Sequence, residues 1–195
     1  MGLALGFADP VFDSQSAFRA AMWALARPGR LEPLAVTLDP PAPLSPEAAA
    51  LLLALCDFET PVWLDASAAA VPEVARFLRF HTGARIVAEP GAARFVLITD
   101  PARMADFAEF AQGTPDYPDI SATLVVQVER FSASGLVLEG PGVPGVRGFG
   151  AQPLPADFIA RMVANRAGFP LGVDLLLAGA GHVAGLPRSV MVREG

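Results

Sequence analysis

Residues 171–179 read LGVDLLLAG, an apolar run that only Asp174 interrupts. A strand of this composition is typical of a sheet that is buried on both faces, as parallel sheets covered by helices are. Similar short apolar segments alternate with helical patterns along the chain, and one pair of them predicts a hairpin. The chain is therefore predicted to be an α/β protein with a mixed sheet, forming one domain over residues 1–195.

The first helix is predicted to be capped by Asp13 or Ser14 and to carry Phe18, Met22 and Leu25 on one face. Capping residues, prolines and hydrophobic periodicity predict helices over residues 13–29, 45–55, 72–83, 100–111 and 155–168. Strands are predicted over residues 31–39, 60–65, 84–100 (two strands around Pro90-Gly91), 122–131, 135–140, 171–179 and 189–194, with 122–131 and 135–140 pairing as the hairpin.

The bulk composition limits the class of protein. A length of 195 residues suits one domain, and residues 48–56, the longest apolar run, are too few for a membrane span, which needs about 18. Residues 1–10 lack a basic region and a cleavage site, so no signal peptide is expected. Cys56 is the only cysteine, which excludes an internal disulfide and fits a reducing cytoplasm.

Charge and apolar content limit the partners. A net charge of −6 argues against nucleic acid as the main partner. The apolar fraction of 53% favours a buried interface in an oligomer or complex.

All 14 basic residues are arginine. Without lysine the chain can form neither a P-loop lysine contact nor a Schiff base to pyridoxal phosphate, and it has no lysine general base.

Residues 140–145, GPGVPG, match the dinucleotide-binding pattern G-x-G-x-x-G. The context contradicts that function, because Pro141 and Pro144 remove amide donors and the glycine-rich residues 146–150 cannot open a helix. Residues 140–145 are therefore predicted to form a tight, rigid loop.

The sequence gives little support for a metal site or for a serine hydrolase. His81, His182 and Cys56 have no recognised ligand spacing, and no G-x-S-x-G is present. His81 is expected near a helix C-terminus, where an imidazolium meets the helix dipole favourably. No metal site and no catalytic residue are predicted.

Carboxylates offer two candidate positions. Asp57 and Glu59, in CDFET, would point the same way in an extended segment and could hold Mg²⁺, or they could belong to a polar turn. Asp174 needs a partner within its apolar strand. An arginine partner would make Asp174 structural, whereas a ligand would make it functional.

Three arginines are candidate anion-binding residues: Arg19 and Arg27 lie on the first predicted helix, Arg27 just before Pro28-Gly29, and Arg188 lies just before the last predicted strand. Arginines at the ends of elements suit bidentate binding of phosphate or carboxylate, although arginines on turns are also common without that role.

Several stretches resemble, in order, the PhnH family, the H subunit of bacterial carbon–phosphorus lyase. They are DPVFDSQSAFRAAMWALARPG, CDFET, RFHTGA, the loop at 113–118 leading into SATLVVQV, LEGPGV, GFPLGVDLLL and LPRS, and together they span about residues 7–192. The departures are mild: Ser189 and Val190 stand where a threonine pair is expected, and Val143 where isoleucine is usual.

The resemblance implies a cytoplasmic protein of phosphonate utilisation. It implies a three-layer α/β/α fold like that of the pyridoxal-phosphate-dependent transferases, without that cofactor. It also implies assembly with the G, I and J subunits, and transiently with L and K. With G, I and L, such subunits support synthesis of α-D-ribose 1-methylphosphonate 5-triphosphate from MgATP and methylphosphonate, a step ascribed to the I subunit.

Two hypotheses follow from the sequence and the resemblance. In the first, the chain is a non-catalytic subunit, a homodimer when isolated, and Gly140 and Gly142 shape an interface or a ligand cleft. In the second, it binds a nucleotide or phosphonate itself. The candidate substrate-binding or interface residues are Arg19, Arg27, Asp57, Glu59, His81, Gly140, Gly142, Asp174 and Arg188.

Overall fold

The computed structural model describes residues 4–195. Residues 1–3, part of the segment on which the signal-peptide expectation rests, lie outside the described residues. The helices are α1 Pro10–Ala26, α2 Pro46–Leu55, α3 Ala66–Ala69, α4 Pro72–Thr82 and α5 Phe158–Ala167. The strands are β1 Glu32–Pro33, β2 Pro61–Leu64, β3 Arg85–Ile86, β4 Phe95–Ile98, β5 Thr123–Gln127, β6 Arg130–Glu139, β7 Val146–Gln152, β8 Asp174–Gly179, β9 His182–Leu186 and β10 Met191–Glu194. None of the helices among residues 4–195 combines the length and the apolarity needed to cross a membrane.

Seven strands form a mixed sheet in the order β1-β9-β8-β5-β4-β2-β3, which confirms the predicted α/β class. The five strands β8, β5, β4, β2 and β3 run parallel to one another, whereas β9 is antiparallel to both β8 and β1. A second, antiparallel sheet has the order β10-β6-β7.

The central strands are buried on both faces. In the β5–β8 register Val125 lies beside Leu176 and Val126 beside Leu177, and the two pairs belong to separate hydrophobic cores. The first core is closed by α1, α2 and α4, and the second by α5, short 3-10 turns and the three-stranded sheet. The face that the α/β/α expectation covers with helices is thus covered partly by a small sheet.

The structure differs from the expectation for α1 in where the helix begins and in which face it buries. The helix begins at Pro10, and its cap is Asp9, whose carboxylate accepts from the amides of Val11 and Phe12. Its core face consists of four alanines, whereas Phe18 and Met22 are 54% and 43% exposed.

Close packing of α1 against β9 explains the alanine face. At Gly185 of β9 an added Cβ would lie 2.5 Å from the carbonyl group of Ala24. Only small side chains fit between two backbones that approach so closely.

The bounds of α2 and α4 agree closely with those predicted from capping residues. Ser45 caps α2 by accepting from the Ala48 amide, and Gly83, at φ +74°, ends α4 in the left-handed conformation. The strand predicted over residues 31–39 is limited to the two residues of β1 in the structure, because Pro33 has no amide to donate to the sheet.

The predicted hairpin between residues 122–131 and 135–140 is wrong. β5 lies in the large sheet, and β6, which starts at Arg130, lies in the small one. β6 instead pairs with β7 across residues 140–145. Residues 140–145 form the predicted turn. Residues 146–152 and 182–186 form β7 and β9, which were not predicted as strands.

The predicted helix over residues 100–111 is also wrong. Two short 3-10 turns, Pro101–Arg103 and Phe107–Glu109, stand in its place. The carbonyls of Met104 and Ala105 accept from the Arg161 side chain rather than from a continuing helix.

The β6–β7 turn packs against the end of α1, and Gly142 makes that contact possible. Gly142 has φ +81°, and a Cβ built on it would overlap the carbonyl oxygen of Ala26. The turn therefore ties the small sheet to the C-terminal end of α1.

We expect Gly142→Ala to lower the free energy of unfolding by at least about 2 kcal/mol, because it adds left-handed strain to a steric overlap. Gly145→Ala is the matched control: its φ is +69°, but nothing lies within 4 Å of an added Cβ. It should cost only the strain, about 1 kcal/mol. Urea unfolding monitored by circular dichroism measures both, and equal losses would contradict the packing argument.

Candidate functional site

Asp174 and Arg188 form a two-pronged ion pair at the amino end of the large sheet. Asp174 opens β8 and Arg188 follows β9, so the β8–β9 hairpin brings them together. Arg188 Nε donates to Asp174 Oδ1 at 3.1 Å and Nη2 to Oδ2 at 2.6 Å, while the Arg188 amide donates to Oδ1 at 2.8 Å. The Arg188 side chain is only 12% exposed and the Asp174 side chain 22%, so water screens the pair weakly.

The Arg188 guanidinium also holds the loops around the pair. Nη1 donates to the carbonyls of Pro118 at 2.9 Å and Pro170 at 3.3 Å, and Nη2 donates to the Ser121 hydroxyl. These bonds join three segments that are distant in sequence. Because the donors of Arg188 already have partners within the chain, the geometry favours the structural alternative for Asp174, and a ligand role for Arg188 stays a prediction.

At the carboxyl ends of β2 and β4, the buried Asp65 joins the two strand ends. Its Oδ2 accepts from the amides of Thr99 at 2.7 Å and Asp100 at 2.9 Å. Its Oδ1 accepts from the Thr99 hydroxyl at 2.8 Å and from the Ala68 amide at 2.9 Å. These donors compensate the cost of burying the carboxylate.

A cavity of about 230 Å³ opens beside these strand ends and is lined by Asp65, Ala66, Ser67, Asp100 and Arg103. The connection after β2 runs through α4 on one face of the sheet, and the connection after β4 runs through 3-10 turns on the other. Open α/β sheets bind ligands at such a reversal of the connections. Arg103 is exposed and makes no ion pair with any of residues 4–195.

Sequence reasoning missed this cavity, although a signal was present. Asp65 and Asp100 each stand directly after an apolar strand segment, VWL and VLIT. Carboxylates at the ends of adjacent parallel strands meet at one edge of a sheet, but the adjacency of β2 and β4 was not predicted.

Arg19 and Arg27 lie at different places along α1. Arg19 is exposed and lines a groove of about 350 Å³ with Phe18, Met22 and Ala54 among its neighbours. The Arg27 guanidinium lies 3.9 Å from the centre of the Trp23 ring and 3.9 Å from Glu32 Oε1.

Asp57 and Glu59 belong to an exposed turn before β2. The Asp57 carboxylate accepts from the Thr60 hydroxyl at 2.8 Å and from the Glu59 amide at 3.0 Å. The hydrogen bond from Thr60, with that from Glu59, lowers the pKa of Asp57 below its usual value. The geometry favours the polar-turn alternative for this pair.

Both histidine rings lie within hydrogen-bond distance of main-chain carbonyls, and the cysteine is buried. His81 Nε2 lies 2.9 Å from the Ala4 carbonyl oxygen, and its ring meets Phe77 and Phe80 edge to face. His182 Nδ1 lies 2.8 Å from the Ala180 carbonyl. Burial raises the pKa of the Cys56 thiol, which keeps it protonated at neutral pH.

The predicted site residues do not form one cluster. Asp174 pairs with Arg188, and Asp57 and Glu59 share one turn. Gly140 and Gly142 share another turn, in which Gly142 lies against Ala26 and Pro28 on either side of Arg27, and Gly140 lies against Ser189, next to Arg188. Arg19 and His81 lie elsewhere, and of the cavities described only the groove beside α1 includes one of the nine residues, Arg19. Within residues 4–195 no group of three or more His, Cys, Asp or Glu side chains is placed to hold a metal ion.

Comparison with known protein families shows to which family the chain belongs. A model described as bacterial phosphonate metabolism protein (PhnH) matches residues 5–193. The chain belongs to the PhnH family. This confirms the resemblance predicted from the ordered motifs.

Two relatives of the PhnH chain are informative. It is 41% identical over 189 residues to the PhnH subunit of alpha-D-ribose 1-methylphosphonate 5-triphosphate synthase from Rhizobium meliloti (strain 1021), covering 96% of this chain and 94% of that protein. It is 32% identical over 182 residues to HtxG of Stutzerimonas stutzeri, provisionally named a C–P lyase subunit, covering 91% and 85%.

We expect Arg188→Ala in this PhnH protein to lower the free energy of unfolding by about 3–5 kcal/mol, because it leaves the Asp174 carboxylate mostly buried without its counter-charge. Arg76→Ala is the matched control, since it breaks an exposed pair with Glu73, and should cost no more than about 0.5 kcal/mol. Urea unfolding compares the two, and a loss for Arg188→Ala as small as the control's would show that the pair is not structural.

Proposed function

We propose that this chain is the PhnH-type subunit of a bacterial carbon–phosphorus lyase system. It acts with the G, I and L subunits to form α-D-ribose 1-methylphosphonate 5-triphosphate from MgATP and methylphosphonate. The observation that carries the proposal is the 41% identity to the synthase subunit of Rhizobium meliloti across 94% of that protein. In this assignment the chain works in the cytoplasm, assembles with G, I and J, and meets L and K transiently.

Within the complex the chain is a non-catalytic subunit. Displacing adenine needs an acid for the leaving base, a positioned nucleophile and counter-charge for the triphosphate. Support comes from the occupied side chains: both imidazoles lie against main-chain carbonyls, and the donors of Arg188 are bonded within the chain. Such a chain completes or positions a site that a partner supplies.

Alone, the chain should release no adenine from MgATP with methylphosphonate, and its omission from a mixture with G, I and L should abolish release. The physical reason is that both imidazoles lie against main-chain carbonyls and that the arginines of residues 4–195 are scattered rather than gathered around a phosphate-binding loop. Chromatographic assay of adenine measures both outcomes.

Adenine release by the lone protein, in proportion to its concentration, would overturn the subunit assignment and make the chain the enzyme. The alternative, in which the chain contributes substrate-binding arginines, is favoured by the cavity beside Arg103 and by the groove that Arg19 lines. Titration of the isolated chain with ATP and with methylphosphonate, each with and without Mg²⁺, distinguishes the alternatives, and Arg103→Ala should abolish any binding at that cavity.

The chain is also proposed to need no pyridoxal phosphate, whether or not its fold derives from the transferases that use it. Without lysine it cannot form the internal aldimine. Incubation with the cofactor, dialysis and borohydride reduction should leave no absorption band near about 420 nm and no covalent adduct on mass spectrometry. A band that survives dialysis and disappears on reduction would contradict this.

In isolation the chain is proposed to form a two-fold dimer. The support is the high apolar fraction together with large apolar side chains that stay exposed, above all on α1.

A further inference from the structure

The cavity at the carboxyl ends of β2 and β4 is lined by an acidic and a basic group that do not pair with each other. Asp100 and Arg103 both line it, and within residues 4–195 neither side chain takes part in an ion pair. The two residues share one 3-10 turn, in which the Arg103 amide donates to the Asp100 carbonyl at 3.1 Å. The main chain thus presents one carboxylate and one guanidinium to the same cavity.

The Asp100 side chain is free at a position where an aspartate is usually engaged. Asp100 is the N-cap residue of the 3-10 turn, and N-cap aspartates commonly accept from the first main-chain amides. Asp65 and Asp106 cap their turns in that way. The Asp100 side chain makes no such bond, so its carboxylate is left for a partner from outside the chain.

Asp65 adds a second negative charge to the lining. It is buried, and its oxygens accept from the amides of Ala68, Thr99 and Asp100. The lining therefore has one more carboxylate than guanidinium. A ligand that is only an anion meets two carboxylates, and a ligand that is only a cation is repelled by Arg103. A ligand that carries both charges satisfies both free groups.

The free groups suit the two ends of such a ligand. The planar guanidinium of Arg103 can donate two parallel N–H bonds to a phosphonate or a carboxylate. The Asp100 carboxylate accepts from an ammonium group, and the Ser67 hydroxyl on the same lining can donate or accept. The bonds of Asp65 fix both strand ends before a ligand arrives, which lowers the entropy cost of binding.

We propose that this cavity binds a small zwitterion, with its ammonium group at Asp100 and its acid group at Arg103. The volume of about 230 Å³ lies below the range of about 300–1,000 Å³ typical of drug-sized ligands, so the ligand is a short molecule. Aminoalkylphosphonates and amino acids share this chemistry. Preference for the phosphonate rests on the proposed function, whereas the pairing of charges does not.

NMR titration of the isolated chain with four probes tests the charge requirement. 2-Aminoethylphosphonate should bind with a dissociation constant below about 1 mM and shift the amide signals of residues 99–103. Methylphosphonate and ethanolamine each carry only one of the two charges and should bind at least about tenfold more weakly. β-Alanine carries a carboxylate in place of the phosphonate, so its rank against 2-aminoethylphosphonate identifies the source of the zwitterion.

Two variants assign the ends of the ligand. Asp100→Asn should weaken 2-aminoethylphosphonate at least about tenfold and abolish its preference over methylphosphonate, because only the ammonium contact is lost. Arg103→Gln should weaken it similarly and abolish its preference over ethanolamine. Asp116→Asn and Arg79→Gln are the matched controls and should change nothing, since both residues are exposed and neither lines the cavity. Circular dichroism checks that all four variants are folded.

Several outcomes would overturn the inference. They are no binding of 2-aminoethylphosphonate at about 10 mM, methylphosphonate binding as tightly, or variants of Asp100 and Arg103 that behave like the controls. Methylphosphonate binding that requires Mg²⁺ and is lost in Asp100→Asn would indicate a metal–anion site instead. The titrations use the isolated chain and do not depend on adenine release, so the zwitterion site and the proposed part in the synthase fail independently.

Discussion

Burial of the central strands on both faces is the constraint on which the rest of this structure depends. Successive side chains of β5 and β8 point into different cores, so each face of the sheet needs its own cover. Helices α1, α2 and α4 cover one face, and α5 with the three-stranded sheet covers the other. The chain must cross between these layers at the ends of the strands, and the buried carboxylate Asp65 and the largely buried Asp174 lie at those ends.

The two ends of the sheet stabilise their carboxylates by different means, and this decides what each end can do. At the amino end Asp174 is neutralised by Arg188, whose remaining donors fix neighbouring loops and leave that end closed. At the carboxyl end Asp65 is satisfied by amides and a hydroxyl, which hold β2 and β4 together without a cation. Arg103 therefore stays exposed at the rim of a cavity, where a ligand or a partner can reach it.

The elements that could be predicted from the sequence are those with local signals. β8, α2 and α4 have an apolar run or caps that depend on their own residues. The pairing of β6 with β7 and the alanine face of α1 depend on partners distant in sequence, such as Gly185. At the site, the need of Asp174 for a counter-charge followed from burial, but its pairing with Arg188 required the β8–β9 hairpin, which was not predicted.

The orientation of α1 indicates what kind of protein has this fold. Burying Phe18 rather than an alanine would stabilise an isolated chain by about 1.5–3 kcal/mol, yet the alanines face inward. The close approach of β9 forces that choice, and it leaves the large side chains on the surface. A chain whose surface another chain completes recovers this burial on assembly. The polar groups act the other way, since Arg188 and Asp65 bond within the chain. Internal polar bonding together with an outward apolar surface is the physical pattern of a subunit that other chains cover in a complex.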